Sequence, residues 1–255
     1  MTASNPLAHL QLQQKHREAL QQALDWLRGV AQPIGVLVSG SIVRGNPGPA
    51  SDLDIVVLQA APGRRRVQRW FNGVPVELFF NSEKWLRHCI REEAAQGRPV
   101  MAHMLATGVL VEDSDGQMAA VIESARDVLD HGAPLDADAL MRDRYAAACQ
   151  VEDALDFEGA DSPDGRQMLA LAVAAVARHA YLSKKRFLPR PKERLALLAT
   201  FEADVARLLS LALSQAPADA AGALKQAAEE VLGTSGFFEW DSGQDSAEPP
   251  QPKTD

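Results

Sequence analysis

The stretch from residue 38 to residue 58, VSGSIVRGNPGPASDLDIVVL, constrains this chain more than any other. A short apolar run ends in Gly40-Ser41, a loop rich in Gly and Pro follows, and a second apolar run carries Asp52 and Asp54 at its head. Alternate strand residues point to the same face about 7 Å apart. The two carboxylates therefore share a side, while Leu53 and Ile55 begin the packing of the other. A buried, unpaired carboxylate costs several kcal/mol or becomes neutral through a shifted pKa. A divalent cation between the two removes that cost, and an oxygen-only ligand set selects magnesium or manganese.

A third acid follows from a turn. RRRVQRW and VPVELFF flank Asn72-Gly73, a pair that tolerates positive φ and closes a two-residue type I′ hairpin. Such a loop pairs Phe71 with Val74, Trp70 with Pro75, Arg69 with Val76 and Gln68 with Glu77. Val74, Val76, Leu78 and Phe80 then line one face, and Glu77 sits on the other with Pro75 and Phe79. If this strand lies beside SDLDIVV, Glu77 completes a nest of three carboxylates; the alternative is a solvated face of an edge strand.

The glycines supply the anion side. Gly40-Ser41 follows a strand and is expected to open a short helix, whose backbone N–H groups can receive a phosphate. A Walker A loop is excluded, because Asn46-Pro47 stands where Lys and Ser/Thr should be, and GxGxxG is absent. A phosphate nest beside a carboxylate metal site implies a metal-bound polyphosphate and displacement at phosphorus.

Strand and helix patterns alternate up to about residue 133: a helix from about Pro6 to Gly29, strands IGVLVSG and SDLDIVVL, the hairpin, helices at 82–96 and 99–107, strand GVLVED, and a helix at 115–129. HGAPLDAD reads as a linker. Apolar residues then recur at helical spacing through four segments, the third running unbroken from PKERL to LALSQ. The fold class is α+β: a mixed sheet with flanking helices over 1–132, a helical bundle over 133–236 and a disordered tail over 237–255.

The net charge of −8 disfavours a protein that holds nucleic acid by bulk electrostatics. Basic residues are local, in clusters of the kind that most often form a solvated face: Arg64, Arg65, Arg66 and Arg69 in the hairpin, and Lys184, Lys185, Arg186, Arg190 and Lys192 later. The N-terminus shows neither a basic start nor an apolar signal core, and no run approaches a membrane span, so the cytoplasm is the expected location. Cys89 and Cys149 lack metal or disulfide-framework spacing.

Gly40, Ser41, Arg44, Ser51, Asp52, Leu53 and Asp54 resemble, in type and spacing, the signature of the DNA polymerase beta-like nucleotidyltransferase superfamily. VPVELFFNSEKW is similar to the strand carrying the third carboxylate in kanamycin nucleotidyltransferase-like and other antibiotic adenylyltransferases. The resemblance implies two magnesium ions (or manganese) on Asp52, Asp54 and Glu77, with Gly40 and Ser41 holding the β- and γ-phosphates of ATP or another nucleoside triphosphate and Ser51 in the nucleotide site. Arg44 either neutralises the triphosphate or is a solvated loop arginine.

The helical half is expected to supply acceptor contacts. Glu152 or Asp153 is a candidate base for the hydroxyl proton, against the plain reading of helix-surface acids, and Lys184 or Lys185 a candidate phosphate contact. The reading is transfer of a nucleoside monophosphate, AMP from ATP, to a hydroxyl of a small molecule such as an aminoglycoside-like antibiotic; a homodimer is compatible with it. The competing reading is a nucleotidyltransferase-fold antitoxin or regulator that binds or modifies a protein partner.

Overall fold

The structure, a computed structural model, describes residues 7, 10, 12–45, 47, 48 and 50–244. The chain divides into two compact units between Pro134 and Leu135. The first is built on α1 (Gln14–Val30), β1 (Gly35–Ser39), β2 (Leu53–Leu58), β3 (Arg64–Phe71), β4 (Val74–Asn81), α2 (Glu83–Ala95), α3 (Val100–Thr107), β5 (Val109–Asp113) and α4 (Gln117–His131). The first helix starts at Gln14, later than the sequence pattern suggests; Gln13 leads into it with extended backbone (φ −58°, ψ 150°).

The strands form one mixed sheet in the order β3-β4-β2-β1-β5. β2 lies antiparallel to β1 and parallel to β4, with Asp54 paired to Ser39 on one side and to Glu77 on the other. Both faces are covered, which explains why β1 and β2 read as near-continuous apolar runs. On one face Val36, Val38, Leu53, Ile55, Val57, Leu78 and Phe80 pack with Leu20, Leu24 and Leu27 of α1. On the other, Leu37, Val56 and Leu58 pack with Leu86, Ile90, Leu105 and Val121 of the three later helices. Strand alternation places Asp54 on the second face, at the end of the row that continues through Val56 and Leu58.

The hairpin has the expected register, from Phe71 opposite Val74 to Gln68 opposite Glu77. Asn72 and Gly73 both adopt positive φ, 46° and 70°, as a type I′ loop requires. β4 is an internal strand and β3 is the edge, so Glu77 does not lie on a solvated outer strand.

The second unit is helical: α5 (Ala137–Leu155), α6 (Pro163–Ser183), α7 (Arg194–Leu198), α8 (Ala203–Ser214) and α9 (Pro217–Leu232), with a 3₁₀ turn at Pro191–Glu193. Val151, Val176, Leu209 and Leu224 are among its core residues. The segment expected as one helix from PKERL onward is broken between Leu198 and Ala203. There the Thr200 hydroxyl donates to the Leu197 carbonyl at 2.7 Å, and Phe201 turns its ring to Tyr181, with centroids 5.1 Å apart. A side chain that serves the backbone locally in this way competes with helix continuation.

The stretch expected to be disordered from residue 237 begins with packed side chains: Phe238 lies against the helical core under Arg144, and the Trp240 ring sits 5.0 Å from that of Tyr145. The rest of that expectation, from residue 245 onward, falls outside the described residues. Among the described residues, no helix is long and apolar enough to cross a membrane.

The hairpin loop sets the position of Glu77, and it depends on a left-handed residue. Gly73→Val places a β-branched side chain at φ 70° and should cost about 1–2 kcal/mol, read as a lower urea midpoint.

Candidate active site

Three acidic side chains meet at one end of the sheet. Asp52 stands just before β2, Asp54 is its second residue and Glu77 is the fourth residue of β4. One ligand atom from each lies within 4.8 Å of the others. The parallel pairing of β2 with β4 produces this convergence, because it sets Asp54 directly beside Glu77.

Glu77 is 6% exposed, and its carboxylate is held by side chains of the neighbouring strand. Arg66 donates from Nη2 to Oε2 at 2.6 Å and approaches Oε1 with Nε at 2.5 Å. Gln68 donates from Nε2 to Oε1 at 2.5 Å. The hairpin register placed Gln68 opposite Glu77, but the reach of Arg66 from two residues along β3 went unread in the sequence. The signal was present in strand period, since Arg66 and Gln68 share a face.

Among the described residues, Asp54 has no such clamp. Burial pushes its carboxyl up to about 7, the charges of Asp52 and Glu77 push the same way, and Arg66 pulls back more weakly. Ser39, paired with Asp54 across β1, is fully buried, and its hydroxyl has no hydrogen-bond partner among the described residues. A carboxylate held above its ordinary value marks a place short of positive charge, and the orphaned hydroxyl is a buried polar group left without a partner there.

Gly40 closes the near side. Its φ is +100°, and a Cβ there would stand 2.8 Å from Oδ2 of Asp54 and 3.3 Å from the Asp52 carbonyl, so only glycine fits. The following residues form a turn rather than the expected short helix: Arg44 N–H donates to the Gly40 carbonyl at 3.1 Å, and Gly45 N–H to that of Ile42 at 3.2 Å. Gly45 at φ 79° turns the chain out of helical geometry. Ser41 is buried, and its hydroxyl lies 2.6 Å from that of Ser51, which also accepts from Gly48 N–H at 2.8 Å. The serines thus tie the two ends of the loop together beside the acids, and Arg44 is exposed on the turn.

The remaining candidates belong to the helical unit. Glu152 and Asp153 are exposed on α5. Lys184 pairs with Glu202 at 2.9 Å, and Lys185 is exposed with φ 55° just past α6.

Residues 14–103 match the family model described as a nucleotidyltransferase domain. That span runs from the start of α1 into α3 and contains Gly40, Asp52, Asp54, Arg66 and Glu77. No curated protein matches the chain. The crystal structure of a nucleotidyltransferase-like protein from Exiguobacterium sibiricum 255-15 is similar over 86% of this chain and 74% of that one, with a TM-score of 0.51 and 12% identity. At that identity the likeness is one of fold. The likeness to a nucleotidyltransferase domain therefore concerns residues 14–103.

A pH dependence follows from Asp54. Its folded-state pKa of about 7 lies above the ordinary 3.8, so the native state binds the extra proton over that interval. Without metal, stability should fall by up to a few kcal/mol as pH rises from about 4 to about 7. Asp54→Asn should flatten that part of the curve and be the more stable protein at pH 8, as urea titrations across pH would show.

Proposed function

We propose that the protein is a metal-dependent nucleotidyltransferase that moves AMP from ATP to a hydroxyl of a small molecule and releases pyrophosphate. The observation that carries this is the convergence of Asp52, Asp54 and Glu77, one ligand atom of each within 4.8 Å of the others, inside the span matching the nucleotidyltransferase domain. The residues fit a divalent cation: the donors are all hard oxygens, and among the described residues Asp54 lacks a cationic clamp of its own and the Ser39 hydroxyl beside it has no partner. Asp52, Asp54 and Glu77 would hold magnesium or manganese. When bound, the metal supplies charge neutralisation to the triphosphate and Lewis acidity at the reacting phosphorus.

The chain's own groups do the rest by position. Gly40, with no side chain, leaves room for an anion to approach the backbone at the carboxylates, and the Ser41–Ser51 contact holds the loop shut around that approach. Arg44, exposed on the turn, is free to lean toward a polyphosphate. In the transfer, an acceptor oxygen bonds to the α-phosphorus, the bond to the α,β-bridging oxygen breaks, and pyrophosphate leaves. The acceptor proton passes to a general base. The net charge of −8 favours a cationic, polyhydroxylated acceptor of the aminoglycoside type. A regulator that only binds a partner has no use for three crowded acids, which is why catalysis is preferred over the antitoxin reading.

Incubation with labelled ATP, magnesium and a panel of aminoglycosides, lincosamides and cell extract should yield an adenylylated product. Asp52→Ala and Asp54→Ala should each lower transfer by about a hundredfold or more with circular dichroism unchanged. Near wild-type transfer in both variants would refute the assignment.

A further inference from the structure

The four arginines of β3 do not behave alike. The guanidinium of Arg64 lies over Trp85 at 4.8 Å, that of Arg65 over Phe80 at 4.4 Å and that of Arg69 over Trp26 at 5.0 Å. Arg66 also rests on a ring, Phe79 at 4.8 Å, but turns its fork onto a buried carboxylate. We propose that Arg66, braced by Phe79 and seconded by Gln68, is a positioning residue: a built-in counter-cation that fixes the Glu77 carboxylate and weakens the carboxylate cluster for dications in the nucleotide-free protein. This rests on the nucleotidyl-transfer reading above.

The geometry supports both halves of the statement. A carboxylate offers about four lone-pair sites. Arg66 and Gln68 together engage Oε1 twice and Oε2 once. Oε2 alone keeps a site to spare, so Glu77 is held to ligation through a single oxygen. The planar fork meeting both oxygens fixes the plane of the carboxylate, which a lysine, as a point charge, would not do. On the charge side, one cation offsets one of three acids, and its field reaches Asp54 and Asp52 as well as Glu77. A dication approaching the nucleotide-free protein therefore meets a smaller net negative charge than the three acids alone would present. The side chain of Arg66 is 62% exposed, so its replacement disturbs the cluster without opening the core.

The test is a calorimetric titration of the nucleotide-free protein with Mn²⁺ alone, for the wild type, Arg66→Gln, Arg66→Lys and Asp54→Asn, with thermal melts to verify folding. Arg66→Gln should bind Mn²⁺ about tenfold more tightly, the order of effect of one unit charge a few ångströms away at an intermediate dielectric. Arg66→Lys, which keeps the charge, should stay within about threefold of the wild type. If holding Glu77 in place outweighed the charge of Arg66, the loss of the arginine would loosen Glu77 and weaken the metal, the opposite sign. Unchanged or weakened Mn²⁺ binding in Arg66→Gln, with binding lost in Asp54→Asn, overturns the role of Arg66 alone. Wild-type Mn²⁺ binding in Asp54→Asn overturns the metal site, and the proposal with it.

Discussion

The structure around the site depends on one electrostatic constraint, the crowding of three carboxylates where β2 enters the sheet. Like charges a few ångströms apart in a partly buried place repel by several kcal/mol unless something offsets them. The fold offsets them unevenly. Glu77 receives a guanidinium and an amide, whereas Asp54 is left to burial and to its neighbours' charge and rises to about 7. That asymmetry makes the cluster receptive to a cation.

The framework that imposes this crowding is ordinary packing. Helices cover both faces of β2, and Leu53, Ile55, Val56 and Val57 are fully buried, so the strand cannot slide to relieve its acidic end. A shift of one residue would send Asp54 to the α1 face and the whole apolar set with it. Gly40 adds a close contact that no other residue could make, because a Cβ would enter the space of the Asp54 carboxylate. Rigid packing converts an unfavourable charge arrangement into a fixed one.

Much of this was legible from residue types alone. Asn72-Gly73 specifies a loop of known length, a loop of known length specifies register, and register places Glu77 on the face opposite the apolar row of β4. Neighbouring β2 and β4 was a condition the local pattern could not supply, since parallel pairing past the intervening β3 is decided by tertiary packing. The same limit hid the Arg66 clamp: its charge read equally well as a solvated face until the strand beside it was known to carry a buried acid. Local chemistry also shortens two expected helices. Gly40-Ser41 after a strand suggests a helix start, but Gly45 at φ 79° ends the turn at once; the apolar spacing around Thr200-Phe201 fits a helix, but the Thr200 hydroxyl serves the backbone locally.

The central claim is that Asp52, Asp54 and Glu77 act together as a dication site. Anomalous diffraction from crystals grown with Mn²⁺ and a non-hydrolysable ATP analogue tests it most directly. The account predicts a manganese peak within coordination distance, about 2.2 Å, of oxygens from all three side chains, with the analogue's phosphates on the same ion. Nucleotide and metal bound elsewhere, with Glu77 closed on Arg66 and no density between the acids, would contradict it.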